Sequence, residues 1–168
     1  GNALQFDGSN TLTIGDVGDF EYYQKFSLGG WIKYDTAQER VAGILSRRNG
    51  EHSNSGYGLY LDKDSKLRFQ IVHFLRNKIL IDVKTKIKIP ISEWTNIYGT
   101  YDGSGKASGI GLFINGKKQE VEVLSDNLGG KSTLVGTQLT VGNWMIRAVN
   151  KSYLGGFNGA IDEISLYN

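Results

Sequence analysis

Cysteine is absent from this chain and proline occurs once. Without cysteine there are no disulfide staples, no thiolate metal sites and no cysteine nucleophile, and redox chemistry leaves no sign of the compartment. No Pro/Ser-rich linker divides the sequence and no internal repeat is evident. Charge of one sign is also scarce. Nineteen Lys and Arg stand against 17 Asp and Glu, a formal net charge of +2. This mild basic balance lacks the clustered Lys/Arg of a nucleic-acid footprint and leaves an anionic small partner or polysaccharide open. No apolar run approaches the ~18 residues of a membrane span, and no basic leader precedes an apolar stretch. The chain begins Gly1-Asn2-Ala3-Leu4, so the expectation is a module cut from a larger secreted protein, with other domains of that parent as neighbours and the isolated domain a monomer.

What is plentiful is glycine, 23 residues, with nine tyrosines and seven phenylalanines in a chain of 168. That composition suits many short strands joined by tight turns, and the length suits one domain over residues 1–168 with a core of its own. Apolar and polar residues alternate in Phe26–Lys33, Leu67–Val72 and Ile110–Ile114, the period of half-buried strands. No amphipathic helix is visible. Asn115-Gly116 between alternating segments predicts a two-residue type I′ hairpin, with the return strand running over Lys117–Val123. Asp102–Gly105 predicts a further turn and Asn127–Ser132 a looser loop. The predicted fold class is all-β, a two-sheet antiparallel sandwich.

Four stretches in order resemble the laminin-G-like or concanavalin-A-like jelly roll: Ala3–Gly8 (Ala-Leu-Gln-Phe-Asp-Gly), Phe26–Lys33, Trp94–Gly103 and Phe157–Asn168, with the Phe-Ile-Asn-Gly hairpin between the last two. The resemblance extends to non-catalytic carbohydrate-binding modules. It implies two sheets packed face to face with the first and last strands adjacent, whereas function must be argued from a site.

Strand parity turns Trp31 outward if Phe26, Leu28 and Ile32 are buried, and Arg68 and Gln70 outward if Leu67, Phe69 and Ile71 are buried. Tyr60 falls outward between Leu59 and Leu61, and Tyr98 outward beside Ile97; similar domains usually carry a small residue at that last position. Sugars need flat aromatic platforms beside fixed hydrogen-bonding groups, and Trp31, Tyr60, Tyr98, Arg68 and Gln70 are expected to supply both on one open face. Loop residues Arg47, His73 and Arg76 are candidate companions. Trp144 and Arg147 lie in an insertion, Asn143–Tyr153, where similar domains take a shorter path. Trp144 serves either as a site aromatic or as a plug folded down over the sandwich end. Packing and solvated surface are the competing roles for the other aromatics and charges. Asn150-Lys-Ser152 matches a glycosylation sequon.

The resemblance also implies a structural calcium where the terminal strands meet, with Asp7 and Asp162 as candidate ligands and backbone carbonyls completing the shell. The alternative is that both aspartates cap turns.

Glycoside hydrolysis needs two carboxyl groups flanking one bond. Glu120 and Glu122 alternate on one segment, but beside Lys117 and Lys118 they read as a charged exterior strand. His52 and His73 have neither metal-ligand spacing nor a triad partner. The expected function is therefore non-catalytic binding of an extracellular polysaccharide, with anionic or sulfated glycans favoured by the basic balance. The alternatives are a laminin-G-like protein-adhesion module and a glycoside hydrolase of the same fold.

Overall fold

The computed structural model describes residues 2–38, 40–50, 53–146 and 153–168. Its strands are β1 (Leu4–Asp7), β2 (Leu12–Gly15), β3 (Phe26–Lys33), β4 (Ala42–Arg48), β5 (Gly56–Leu61), β6 (Lys66–Phe74), β7 (Ile79–Lys88), β8 (Thr95–Tyr101), β9 (Ile110–Ile114), β10 (Lys117–Lys118), β11 (Val121–Asp126), β12 (Leu139–Val141), β13 (Met145–Ile146), β14 (Tyr153–Leu154) and β15 (Asn158–Tyr167). The helical content among the described residues is one 3-10 turn, Ala107–Gly109.

One sheet has six strands in the order β1-β15-β3-β8-β9-β10, and the other has seven in the order β11-β7-β6-β5-β4-β12-β2. All their pairings are antiparallel. The terminal strands are neighbours, with Leu4 opposite Ile161. The alternation read from the sequence becomes the core. Leu28 and Ile32 of β3, Ile97 of β8 and Leu112 of β9 face Leu59 of β5, Leu67, Phe69 and Ile71 of β6, and Val83 of β7, all essentially without solvent exposure. Each such side chain contributes about 1.5–3 kcal/mol on burial. Phe26 of the six-stranded sheet meets Phe69 of the other edge-on at 5.9 Å. Gly99 of β8 leaves the space that Phe69 enters, since a β-carbon there would lie 2.9 Å from the ring.

Asn115 (φ 49°) and Gly116 (φ 73°) both adopt the left-handed backbone of a type I′ turn, closing β9 onto β10. The return strand is shorter than the sequence pattern predicts. β10 ends at Lys118, and the chain then crosses to the other sheet, where β11 pairs with β7. Alternation cannot report this switch, because each half keeps the same period. Glu120 and Glu122 pair with Lys86 and Lys84 on the exterior edge.

Four tyrosines are set into the structure by hydroxyl bonds or burial. Tyr34 donates to the Ile89 carbonyl at 2.7 Å and Tyr57 to the Gly18 carbonyl at 2.7 Å. Tyr101 donates to the Tyr22 carbonyl, and Tyr60 is fully buried. Burial raises all four above their ordinary value of 10.0. A raised folded-state value means stability is complete below about pH 10 and is lost as pH rises and the unfolded chain alone ionises. Arg48 has the opposite sign, because burial lowers it to about 10, but it is one group against four. The melting temperature should fall above about pH 10, with tyrosinate absorbance developing in step with loss of circular dichroism. A melting temperature that stays flat to about pH 11 would contradict this linkage.

Candidate functional site

Parity is correct for each strand, but the strands belong to different sheets. Trp31 (β3) and Tyr98 (β8) lie on the outer face of the six-stranded sheet, whereas Tyr60 (β5), Arg68 and Gln70 (β6) lie on the outer face of the seven-stranded sheet. The single platform expected from the sequence is thus two surfaces on opposite sides of the sandwich. Tyr98 lies flat across Gly29, where a β-carbon would come within 2.6 Å of its ring, and its hydroxyl bonds Ser165 of β15.

The seven-stranded face gathers the larger constellation. Tyr60, Arg68, Lys84 and Glu122 form one cross-strand row, and Ser46, Gly58, Gln70 and Asp82 form the next. Arg68 forks onto Asp82, with Nε donating to Oδ1 at 2.7 Å and Nη2 to Oδ2. Burial works against the Arg68 charge, and the bonds from Asp82 more than offset it, so its pKa is raised. Gln70 donates to Asp82 Oδ2 at 2.7 Å and accepts from Arg48 Nη1 at 2.7 Å. Arg48 runs over Gly58 to reach it, with its Cδ 3.6 Å from where a β-carbon would stand.

Trp144 covers this network. Its ring sits 5.6 Å from that of Tyr60, and the Arg48 guanidinium lies 4.9 Å from its centroid. Trp144 therefore folds over the outer face of the sheet and not over the end of the sandwich, and its ring is half-buried there. The segment leading to it is anchored. Asn143 is fully buried, donates to Thr11 Oγ1 at 2.6 Å and accepts from Ser46 Oγ at 3.0 Å through its carbonyl. Gly43 lets that backbone lie against β4.

Arg48 is the residue that sequence reasoning passed over in favour of Arg47. A register shift between Gly43 and Leu45 allows Ile44 and Leu45 both to enter the core. It also resets the parity, so Arg47 follows Leu45 inward and Arg48 follows Ser46 outward. Arg47 is no part of the face. It is 1% exposed and bonds the Val17 carbonyl, Asp16 and Asp19 at 2.8, 2.7 and 3.1 Å. Arg47→Ala should cost about 2–3 kcal/mol by denaturant unfolding, less than for a fully buried pair because Asp16 is exposed, with ligand affinity intact. An affinity loss at unchanged stability would return Arg47 to the site.

His73 is held at the end of the sandwich by a 2.7 Å contact between Nδ1 and the Ser132 carbonyl. Arg76 is exposed in the β6–β7 turn, at the same end of the sheet as Arg48. Arg147, the Asn150 sequon and His52 lie outside the described residues.

The two aspartates proposed for calcium do not share a shell. Asp7 stands opposite Asn158, four residues along β15 from Asp162, a separation of about 13 Å at strand rise. Asp7 Oδ1 instead accepts from the Ser9 N–H and Oγ at 2.8 Å and the Asn10 N–H at 3.0 Å. These bonds, led by the Ser9 backbone, lower its pKa. Asp162 accepts from the Glu163 N–H at 2.8 Å. Asp7 thus caps the turn after β1, whereas Asp162 lies within β15 beside its register shift, and among the described residues there is no group of three His, Cys, Asp or Glu placed to hold a metal.

Residues 6–168 match the Concanavalin A-like lectin/glucanases superfamily, also described as Laminin_G_3, and the chain belongs to that family. No curated protein sequence matches it. Among solved structures it is similar to the CBM40 of the Ruminococcus gnavus IT-sialidase, with a TM-score of 0.74 at 12% identity over 98% of this chain and 89% of that one. The same module bound to α2,3-sialyllactose gives 0.74 at 13% identity, covering 99% and 89%. A NanB sialidase mutant from Streptococcus pneumoniae gives 0.66 at 14% identity, with all of this chain matching 26% of that larger protein. At these identities the likeness establishes the fold.

Proposed function

We propose that this chain is a non-catalytic carbohydrate-binding domain that takes an acidic glycan on the outer face of the seven-stranded sheet. The observation that carries this reading is Arg48. Its guanidinium is buried, its pKa is lowered by desolvation to about 10, and its hydrogen-bond partners are the neutral Gln70 Oε1 and Asn54 carbonyl. Asp82 favours its charge from nearby but forks with Arg68. A buried cation with no carboxylate of its own among the described residues projects positive potential onto the face above it. Trp144 provides the flat aromatic that a sugar ring needs. The sialyllactose-bound fold neighbour supports an acidic sugar as the first ligand to test.

The absence of catalysis is part of the same proposal. A glycosidase general acid needs a raised pKa, whereas Glu120 is lowered by its bond to Lys86 and lies on the exterior. An extracellular location, with other domains of a parent chain alongside, belongs to this reading too. Calorimetry against sialyllactose and lactose tests it: binding of the first and not the second is expected, and the reverse order refutes the charge assignment. Protein adhesion is the second reading, favoured by exposed Leu12, Ile14 and Val17 at and beside the edge strand β2, and it becomes the better one if no glycan binds.

A further inference from the structure

The outer face of the six-stranded sheet carries a second arrangement, unconnected with Arg48 and of opposite charge. Trp31, Trp94, Asp162 and Glu163 line a cleft of about 300 Å³. Trp94 is 42% exposed, unusual for a side chain that is highly buried on average, and Trp31 is half-buried. The two carboxylates are brought together by a bulge in β15. Asp162 stands opposite Trp31, the register shifts before Ser165, and Glu163 adopts a left-handed backbone at φ 48°. Glycine at position 30 permits this, because a β-carbon there would lie 2.9 Å from the Asp162 carbonyl oxygen. Bulges of this kind re-aim side chains at functional edges.

Among the described residues, neither carboxylate forms an ion pair. Lys33, two residues beyond Trp31 on the same face, stands opposite Ala160 and bridges to neither. Two tryptophans and two carboxylates that form no ion pair among the described residues line one cleft, which is the environment that attracts a cation. The indoles also offer more flat area than an ammonium group on an alkyl chain would cover. We propose that this cleft binds an amino sugar, the pyranose C–H face lying against Trp94 and Trp31 and the protonated amine directed to Asp162 and Glu163. The site is separate from the acidic-glycan face and excludes the sugars which that face favours.

The test is calorimetry with glucosamine oligosaccharides and their N-acetylated counterparts of equal length, at a pH where the amine is protonated. The amine form should bind about tenfold more tightly than the acetylated form, and added salt should weaken it. Trp94→Ala, and Asp162→Asn combined with Glu163→Gln, should each remove most of that affinity at unchanged melting temperature, while Lys63→Ala, at an exposed turn of the opposite sheet, should leave it intact. Equal binding of both oligosaccharides overturns the charge basis. Absence of binding, or loss in Lys63→Ala but not in Trp94→Ala, overturns the site. Failure of sialyllactose to bind would bear only on the other face.

Discussion

Gly43→Ala is expected to lower stability by about 3 kcal/mol and to unseat Trp144. A β-carbon on Gly43 would stand 2.0 Å from the Asn143 carbonyl carbon and 2.1 Å from the Trp144 nitrogen. Those atoms are backbone, so no side-chain rotation relieves the clash. The segment is also pinned from both sides, by the bonds of Asn143 to Thr11 and Ser46 and by the Gly43 N–H donating to the Gly155 carbonyl at 2.8 Å. For a domain of this size the melting temperature should drop by roughly 10 °C. The near-ultraviolet dichroism and tryptophan fluorescence should change with it, because Trp144 leaves Tyr60 and Arg48. Gly129→Ala is the control. Its φ of 62° strains any other residue but nothing lies within 4 Å, so it should cost only about 1–2 kcal/mol and leave the tryptophan signal unchanged. If Gly43→Ala melts with the parent, the Asn143–Trp144 segment does not rest on β4, and the site loses its cover.

Trp144→Ala is expected to weaken sialyllactose binding about thirtyfold, the usual consequence of removing a stacked aromatic worth ~2 kcal/mol from a binding centre. Arg48→Met and Arg48→Lys separate charge from packing beneath it. Both lose the fork to Gln70 and the Asn54 carbonyl, so both should lose about 2 kcal/mol of stability and remain folded. Lysine keeps the positive charge and should retain most of the affinity, whereas methionine should lose about tenfold or more. Raising the salt should weaken the parent and the lysine variant more than the methionine variant. Equal binding by the two Arg48 variants would show that the buried charge does not recruit the ligand, and a Trp144→Ala variant binding like the parent would remove the platform.

The fold was legible because its signals are local and repeat. Phe26–Lys33 and Leu67–Val72 show their buried faces by alternation, and Asn115-Gly116 marks its turn by the positive φ that both positions require. The site was legible only in pieces. Tyr60, Arg68, Gln70 and Trp144 come together, but Trp31 and Tyr98 stand on the other side of the sandwich because alternation distinguishes the two faces of a strand and not the two sheets. Arg48 escaped because apolar Ile44 and Leu45 are adjacent, and only the register shift beside Gly43 reveals that both point inward. Asp82 and Asn143 carried no signal beyond their residue types.

The sequence by itself determined the all-β class, most strand positions and the chemistry available to each strand face, because side-chain direction has period 2 and turn residues act over two to four positions. Tertiary structure decided which faces meet. Partnership between β5, β6 and β7, the crossing after Lys118, the register that holds Asp7 about 13 Å from Asp162 and the laying of Trp144 over Arg48 all depend on contacts between residues far apart in the chain. Such contacts are settled by burial and backbone pairing across the whole sandwich, for which no short stretch of sequence carries a local mark.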